Sequence, residues 1–453
     1  MMQSLQEQYQ KLMAEQRDPK RSAWGNNTAA ANGATLASDV LNMIIFEALK
    51  SRASDIHIEP FQEWLRIRFR VDGNLYEVLR IPHAHNVTIV PRIKVSANMP
   101  TDAMSGRKSM DGRFSITIGS TEFDFRVATF PTLMGDKIAI RILNKDQGLV
   151  DLAKIGMSPQ DLGNLEKILQ RKNGLLIVSG PTGSGKTTTL YSILNRIHTT
   201  SVNIVTLEDP IEYQIYGINQ CDINKKGDET FASGLKSILR QDPDVILIGE
   251  VRDAATADIA IRASITGHLV LTSLHANSAV GTVIRLVNMG LERYMVSYAV
   301  IGAVAQRLVP RLCKHCCVPY TIEANVLQAI CDQCGLDIQL FSIKSSNSLN
   351  KGLDYSDDIE THENISGSMT LYKKVGCEQC NGTGYLGRVG IFEVVFFSDD
   401  LRDAIVRNAS VPELEAIARR KGFRSLAIDA IEKAKQGLVT VEDIYSILLE
   451  KGS

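Results

Sequence analysis

GLLIVSGPTGSGKTTTLYSILNRI, residues 174–197, sets the fold of this chain. It opens as a short apolar run, the pattern of a buried strand, and from Lys186 onward takes on helical spacing. Between the two lies a cradle made of Gly180, Pro181, Thr182, Gly183, Ser184, Gly185, Lys186 and Thr187, with Thr188 in the first turn of the helix. Its glycines let backbone N–H groups turn inward on phosphate oxygens without a side chain in the way. In such a loop the lysine reaches the β- and γ-phosphates and the threonine ligates Mg²⁺, while the helix N-terminus adds partial positive charge. Gly-x4-Gly-Lys-Thr is specific only between a strand and a helix, and here both flanks agree, so the stretch predicts a nucleoside triphosphate site.

Downstream, the apolar segments NIVTLED, DVILIGE and HLVLTSL recur with helical stretches between them. Strands alternating with helices predict a mostly parallel sheet covered on both faces, whose strand ends collect ligands. Two acidic residues fall at such ends, Glu208 after NIVTL and Glu250 after VILIG. Both are candidates to support the metal shell and orient water, and the sequence leaves open which one activates it. Many phosphate-loop enzymes carry aspartate at the position of Gly249, so metal contact here is expected from Thr187 and, through water, Glu250. His275 follows the strand HLVLTSL on the same predicted edge, placed to sense the γ-phosphate.

Upstream the periodicity differs. In EWLRIRFRVDG the residues Leu65, Ile67, Phe69 and Val71 alternate with Arg66, Arg68 and Arg70, and Asp72-Gly73 supplies a turn. RFSITI and TEFDFRVATF alternate in the same way, which predicts a small α/β domain with an antiparallel sheet, preceded by a helix near 38–51. Residues 1–34 read as a polar tail and linker carrying a short amphipathic helix with Leu5, Tyr9, Leu12 and Met13 on one face, frayed or docked to a partner. The expected organisation is a tail at 1–34, an N-terminal domain at 35–148, a nucleotide-binding core at 149–310, a cysteine-bearing insert at 311–390 and a helical region at 391–453, with capping signals at Ser410 and Thr440.

With 453 residues the chain is too long for one core, and its 44% hydrophobic and 22% charged residues are those of an ordinary globular protein. A formal net charge of -1 gives no global attraction to nucleic acid, and none is expected as a direct partner. The polar start has no apolar stretch of a signal peptide, and the charge-free run from Ala263 to Ile284 is too polar for a membrane span, so a cytoplasmic location is expected. Six of the eight cysteines form Cys-x-x-Cys pairs, which in that compartment points to metal or redox chemistry. Cys313 and Cys316 with Cys377 and Cys380 make a tetrahedral thiolate site suited to structural Zn²⁺. Cys331 and Cys334 can replace either pair, and Cys221 and Cys317 read as bystanders.

Taken together the strings SDIHIEPF (54–61), RIKVSANM (92–99), LEDPIEY (207–213), LRQDPDVILIGEVRD (239–253), TGHLVLTSLHAN (266–277) and GCEQCNGTGYLGRVGIFEV (376–394) resemble the secretion ATPase superfamily. Within it they are similar to the type II secretion and type IV pilus-assembly ATPases. The resemblance implies an α/β fold with a PAS-like N-terminal domain, a RecA-like motor with a zinc-binding insert, and C-terminal helices. It implies a homo-hexamer peripheral to the inner membrane, working with platform and docking proteins to turn ATP hydrolysis into fibre assembly. In the family, N-terminal arginines meet the γ-phosphate, and the matching positions are Arg92, Arg107 and Arg113. Arg107-Lys-Ser-Met-Asp-Gly-Arg113 departs from the usual Arg-x-Pro-Gln-Asp-Gly-Arg, and the larger docking domain of many assembly ATPases is represented only by the short tail. The cysteine pairs favour the assembly branch, since retraction motors generally lack them. The same ring also fits a motor for DNA uptake or conjugative transfer, and a nucleotide-dependent scaffold is a third reading, opposed by the two glutamates.

Overall fold

The computed structural model describes residues 2–16, 28–101, 108–144, 150–223, 230–323 and 368–449. The chain divides into two compact units, residues 1–148 and 149–453.

The first unit begins with α1 (Met2–Gln16) and α2 (Thr28–Lys50). Strands β1 (Ala53–Pro60), β2 (Trp64–Val71) and β3 (Asn74–Pro82) follow, then α3 (Asn86–Ser96) and strands β4 (Met110–Ile118), β5 (Thr121–Thr132) and β6 (Gly135–Asn144). The strands form an antiparallel sheet in the order β3-β2-β1-β6-β5-β4. Alternation sets its register: Leu65, Ile67, Phe69 and Val71 are buried, while the arginines between them face the other side. The β2–β3 turn has φ of 49° at Asp72 and 95° at Gly73, the left-handed pair that a two-residue hairpin requires.

Two features differ from the sequence expectation. The first helix of the domain starts ten residues earlier than expected, at Thr28 rather than Ser38. The amphipathic face of the tail is neither frayed nor left for a partner. Leu5 is fully buried and Tyr9 is 6% exposed in the core of the unit, with the Tyr9 ring edge-on to His85 at 6.1 Å. An apolar stripe so close to an incompletely covered sheet is stabilised by burying itself there, which a reading of the tail alone does not reveal.

The second unit carries α4 (Pro159–Leu169), β7 (Gly174–Ser179), α5 (Lys186–Ile197), β8 (Ile204–Glu208), β9 (Asn219–Asp222), α6 (Phe231–Ile238), β10 (Val245–Ile248), α7 (Ala254–Ile265) and β11 (Leu269–Leu274). It continues with α8 (Gly281–Asn288), α9 (Arg293–Ala299), β12 (Val300–Leu312), β13 (Val318–Glu323), β14 (Ser368–Lys373) and β15 (Tyr385–Phe396). It ends with α10 (Asp399–Val406), α11 (Val411–Arg420), α12 (Leu426–Lys435) and α13 (Val441–Leu449). The main sheet runs β15-β12-β7-β11-β10-β8-β9, parallel except for β15 against β12. Successive residues of its strands enter cores on opposite faces: Val205, Leu207, Ile246 and Ile248 on one, and Ile204, Val245, Leu247 and Leu271 on the other. Burial on both faces explains why these strands read as continuous apolar runs.

The expected capping signals are formed. Ser410 and Glu413 make a capping box on α11, and the Thr440 N–H and hydroxyl both donate to Asp443. The strand β15 crosses residue 390, so the expected helical region begins with part of a sheet.

Candidate nucleotide site and cysteine knuckle

Parallel register brings the predicted groups to one edge. Ser179 lies opposite Leu274, and Ile248 opposite both Leu207 and Thr272. The residues that follow, Gly180, His275, Gly249 with Glu250, and Glu208, therefore emerge together at the carboxyl ends of the strands.

The loop after β7 is built against β12. Gly180 has φ of 148°, and a Cβ there would lie 2.5 Å from the Gln306 carbonyl oxygen and 2.6 Å from Ser184 Oγ, so only glycine fits. Gln306, buried, donates through Nε2 to the Ser184 carbonyl at 2.7 Å and holds the loop from beneath. The Ser184 hydroxyl and Gln306 Oε1 are buried without protein partners. Lys186 donates to the carbonyls of Gly180 at 2.9 Å and Pro181 at 3.0 Å, folded onto its own loop. Burial lowers its pKa, and the charge of Arg307 adds to this against the opposing pull of Glu250. Pro181, Thr182, Gly183 and Thr188 are exposed and Gly185 and Thr187 half-buried, so the mouth of the cradle is open. A loop of this shape, with a lysine already aimed across it, fits a bound phosphate chain and its Mg²⁺.

The two glutamates occupy different surroundings. Glu250 is partly exposed, contacts Arg252, and lies 3.9 Å from His275 Nε2. Burial and the nearby Lys186 lower the His275 pKa against the opposing pull of Glu250. Glu208 is 4% exposed and enclosed. Its Oε2 accepts from the Tyr191 hydroxyl, and its Oε1 accepts from Thr206 Oγ1 at 2.6 Å and Gln220 Nε2 at 3.2 Å.

The structure adds residues that sequence reading missed: Tyr191 on α5, Thr206 on β8, Gln220 on β9, and Gln306 with Arg307 on β12. Arg307 is buried and donates to the Gln306 carbonyl at 3.1 Å and the Asn277 carbonyl at 3.3 Å. A Gln-Arg pair directly after the apolar run VIGAVA of β12 was the available signal, because buried polar side chains are uncommon in such a strand. Arg92 on α3 and Arg113 on β4 are exposed residues of the first unit, and Arg107 lies outside the described residues.

Cys313, Cys316, Cys377 and Cys380 converge with all four Sγ atoms within 4.8 Å of one another. The Cys313–Cys377, Cys316–Cys380 and Cys377–Cys380 sulfur pairs are 3.9, 3.8 and 3.7 Å apart. Four thiolates at the usual Zn–S length of ~2.3 Å in a tetrahedron stand about 3.8 Å from one another, so the set fits zinc. Backbone N–H groups of Gly376, Cys377 and Gly384 donate to the sulfurs at 3.2–3.3 Å. Burial raises the Cys380 pKa, but the Cys377 and Gly384 N–H groups together with the neighbouring Cys377 and Cys316 thiols outweigh it and bring the value down to about 6, whereas burial pushes the Cys313 and Cys316 thiols up. Among the described residues this is the group of side chains arranged to hold a metal, and Cys331 and Cys334 lie outside them.

A parallel sheet with a glycine-rich phosphate loop at its centre, and acidic and imidazole groups on the neighbouring strand ends, defines a RecA-like P-loop nucleoside triphosphatase domain. Residues 30–446 match the family model described as type II/IV secretion system protein, and the chain belongs to that family. It is 41% identical over 412 residues to the type II secretion system protein E of Pseudomonas aeruginosa, covering 91% of this chain and 75% of that one. It is likewise 41% identical to the type IV pilus assembly ATPase PilB of Myxococcus xanthus, over 89% of this chain and 66% of the relative. The fold is shared with the crystal structure of the Legionella pneumophila ATPase DotB, with a TM-score of 0.64 at 21% identity over 91% of this chain and 95% of that one.

Proposed function

We infer that the chain is an ATPase of the secretion and pilus-assembly kind, and that it powers growth of a type IV pilus or a secretion pseudopilus. The observation that carries this reading is the phosphate loop sharing one chain with the four-cysteine knuckle. The loop supports ATP binding, and the knuckle supports the assembly branch of the family.

In the proposed site the loop N–H groups and Lys186 hold the β- and γ-phosphates, and Thr187 ligates Mg²⁺. Glu250 faces the opening beside Lys186 and His275, which suits it to orient water. His275 is placed to make a hydrogen bond near the γ-phosphate. Arg92, Arg107 and Arg113 are proposed to reach a neighbouring subunit's nucleotide in a hexameric ring. Cys313, Cys316, Cys377 and Cys380 would hold zinc, which would tie the end of β12 to the start of β15 as a structural cross-link. No helix among the described residues is long and apolar enough to cross a membrane. We place its work at the cytoplasmic face of the inner membrane, with platform and docking proteins as partners.

The test is turnover of Mg²⁺-ATP by the purified full-length chain, with Lys186→Ala and Glu250→Gln beside it. We expect wild-type hydrolysis, loss of binding or turnover in the first variant, and slowed hydrolysis with retained binding in the second. A hexameric wild-type preparation that binds Mg²⁺-ATP without hydrolysing it would overturn the motor reading.

A further inference from the structure

Glu208 is held by an unusual set of groups for a buried carboxylate. Its three donors are all uncharged: the Tyr191 hydroxyl, the Thr206 hydroxyl at 2.6 Å and the Gln220 amide at 3.2 Å. Two of them fill Oε1 and the third is on Oε2, which leaves little capacity for taking a proton from water. Each donor is itself fixed. Tyr191 is 1% exposed, stands edge-on to the Tyr213 ring at 4.6 Å, and accepts from the Glu212 N–H at 3.3 Å. Gln220 is anchored at its other end by the Ile215 N–H at 2.7 Å and also donates to the Tyr213 carbonyl. Burial, reinforced by the charge of Glu208, pushes the Tyr191 hydroxyl far up, so it stays protonated and serves as a donor.

Tyr191 stands four residues after Thr187 on α5, on the same helix face one turn further from the phosphate loop. The helix that carries the proposed Mg²⁺ ligand thus also carries the group that grips Glu208. We propose that Tyr191 is a positioning residue of the nucleotide site, which with Thr206 and Gln220 fixes Glu208 as a standing negative charge for the divalent cation, leaving the orientation of water to Glu250. The inference rests on the phosphate-loop reading given above. Uncharged donors hold the carboxylate in place without cancelling its charge, so a cation at Thr187 feels that charge through a low-dielectric interior.

The experiment measures binding of a fluorescent ATP analogue to the full-length chain with Mg²⁺ and with EDTA. It compares wild type, Tyr191→Phe, Glu208→Gln and the double variant. We expect Tyr191→Phe to reduce the Mg²⁺-dependent gain in affinity by about 10-fold while affinity in EDTA stays within about twofold. The double variant should be no worse than Glu208→Gln alone, because tyrosine acts through that carboxylate. A parallel loss of affinity in EDTA, or multiplicative losses in the double variant, overturns the proposal. Should Tyr191→Phe not fold, Gln220→Ala is read in the same cycle against Glu208→Gln, with the same two outcomes. Wild-type protein that binds the analogue without hydrolysing ATP sinks the motor reading and leaves the Mg²⁺ comparison to decide this one.

Discussion

Glu59 and Glu208 are both buried glutamates whose two oxygens are engaged, yet their partners belong to different chemistry. Glu59 on β1 meets cations: Arg66 at 2.9 Å, Arg68 at 2.7 Å and Lys137 at 3.1 Å. Glu208 meets two hydroxyls and an amide. At Glu59 the protein supplies the neutralising charge itself, and the result is a sheet face locked across β1, β2 and β6. At Glu208 it supplies uncharged donors, the arrangement on which the cation proposal rests. The cysteine knuckle follows the second pattern, since the donors seen on its sulfurs are backbone N–H groups. In both places anionic groups lie under uncharged donors, an arrangement that suits a metal cation.

The largest expected effect removes the cation that faces the ligand. Lys186→Ala deletes the charge-assisted contact to the phosphates, and ATP turnover should fall by about 100-fold or more. Retained turnover would mean that the phosphate loop is not the site. Next, Glu208→Gln keeps the shape of the side chain and removes its charge. Turnover should fall about 10- to 100-fold, and rising Mg²⁺ should recover part of it. A variant whose rate is unchanged at limiting Mg²⁺ would break the distinction from Glu59. Cys377→Ser tests the knuckle: metal analysis should change from about one zinc per chain to almost none, with Tm lower by several degrees. Stoichiometric zinc in that variant would bring Cys331 and Cys334 into the site.

The regions differ as much in how far the sequence revealed them. The phosphate loop, the strand ends at Glu208, Glu250 and His275, and the cysteine pairs are local patterns whose spacing carries their chemistry. The parallel sheet was visible for the same reason, in apolar runs such as VILI and LVLTSL. What could not be read locally were contacts between distant segments. Tyr191 lies in a helix pattern that says only that one face is buried, and Gln220 lies in an edge strand of four residues. Gln306 and Arg307 approach the loop only because β12 pairs with β7. The docking of α1 was missed because amphipathicity predicts a buried face but not which surface buries it.

The smallest effect sharpens the comparison from the side of Glu59. Burial pushes this carboxyl up, but hydrogen bonds from Arg68, Lys137 and Arg66 outweigh it and bring its pKa to about 2. The folded value lies below the unfolded one, so the group contributes stability that is fully present above the unfolded pKa near 4.5 and is lost as pH falls toward about 2. The partner cations are 26–40% exposed, so solvent weakens the pairs and the contribution is about 1 kcal/mol. Both tryptophans, Trp24 and Trp64, fall in residues 1–148, so tryptophan emission follows that unit inside the intact chain. Glu59→Gln should lower the transition so observed by about 2–4 °C at pH 7 and by much less at pH 2, where the wild-type carboxyl is itself becoming neutral. A penalty of equal size at both pH values would show that Glu59 acts through packing rather than charge.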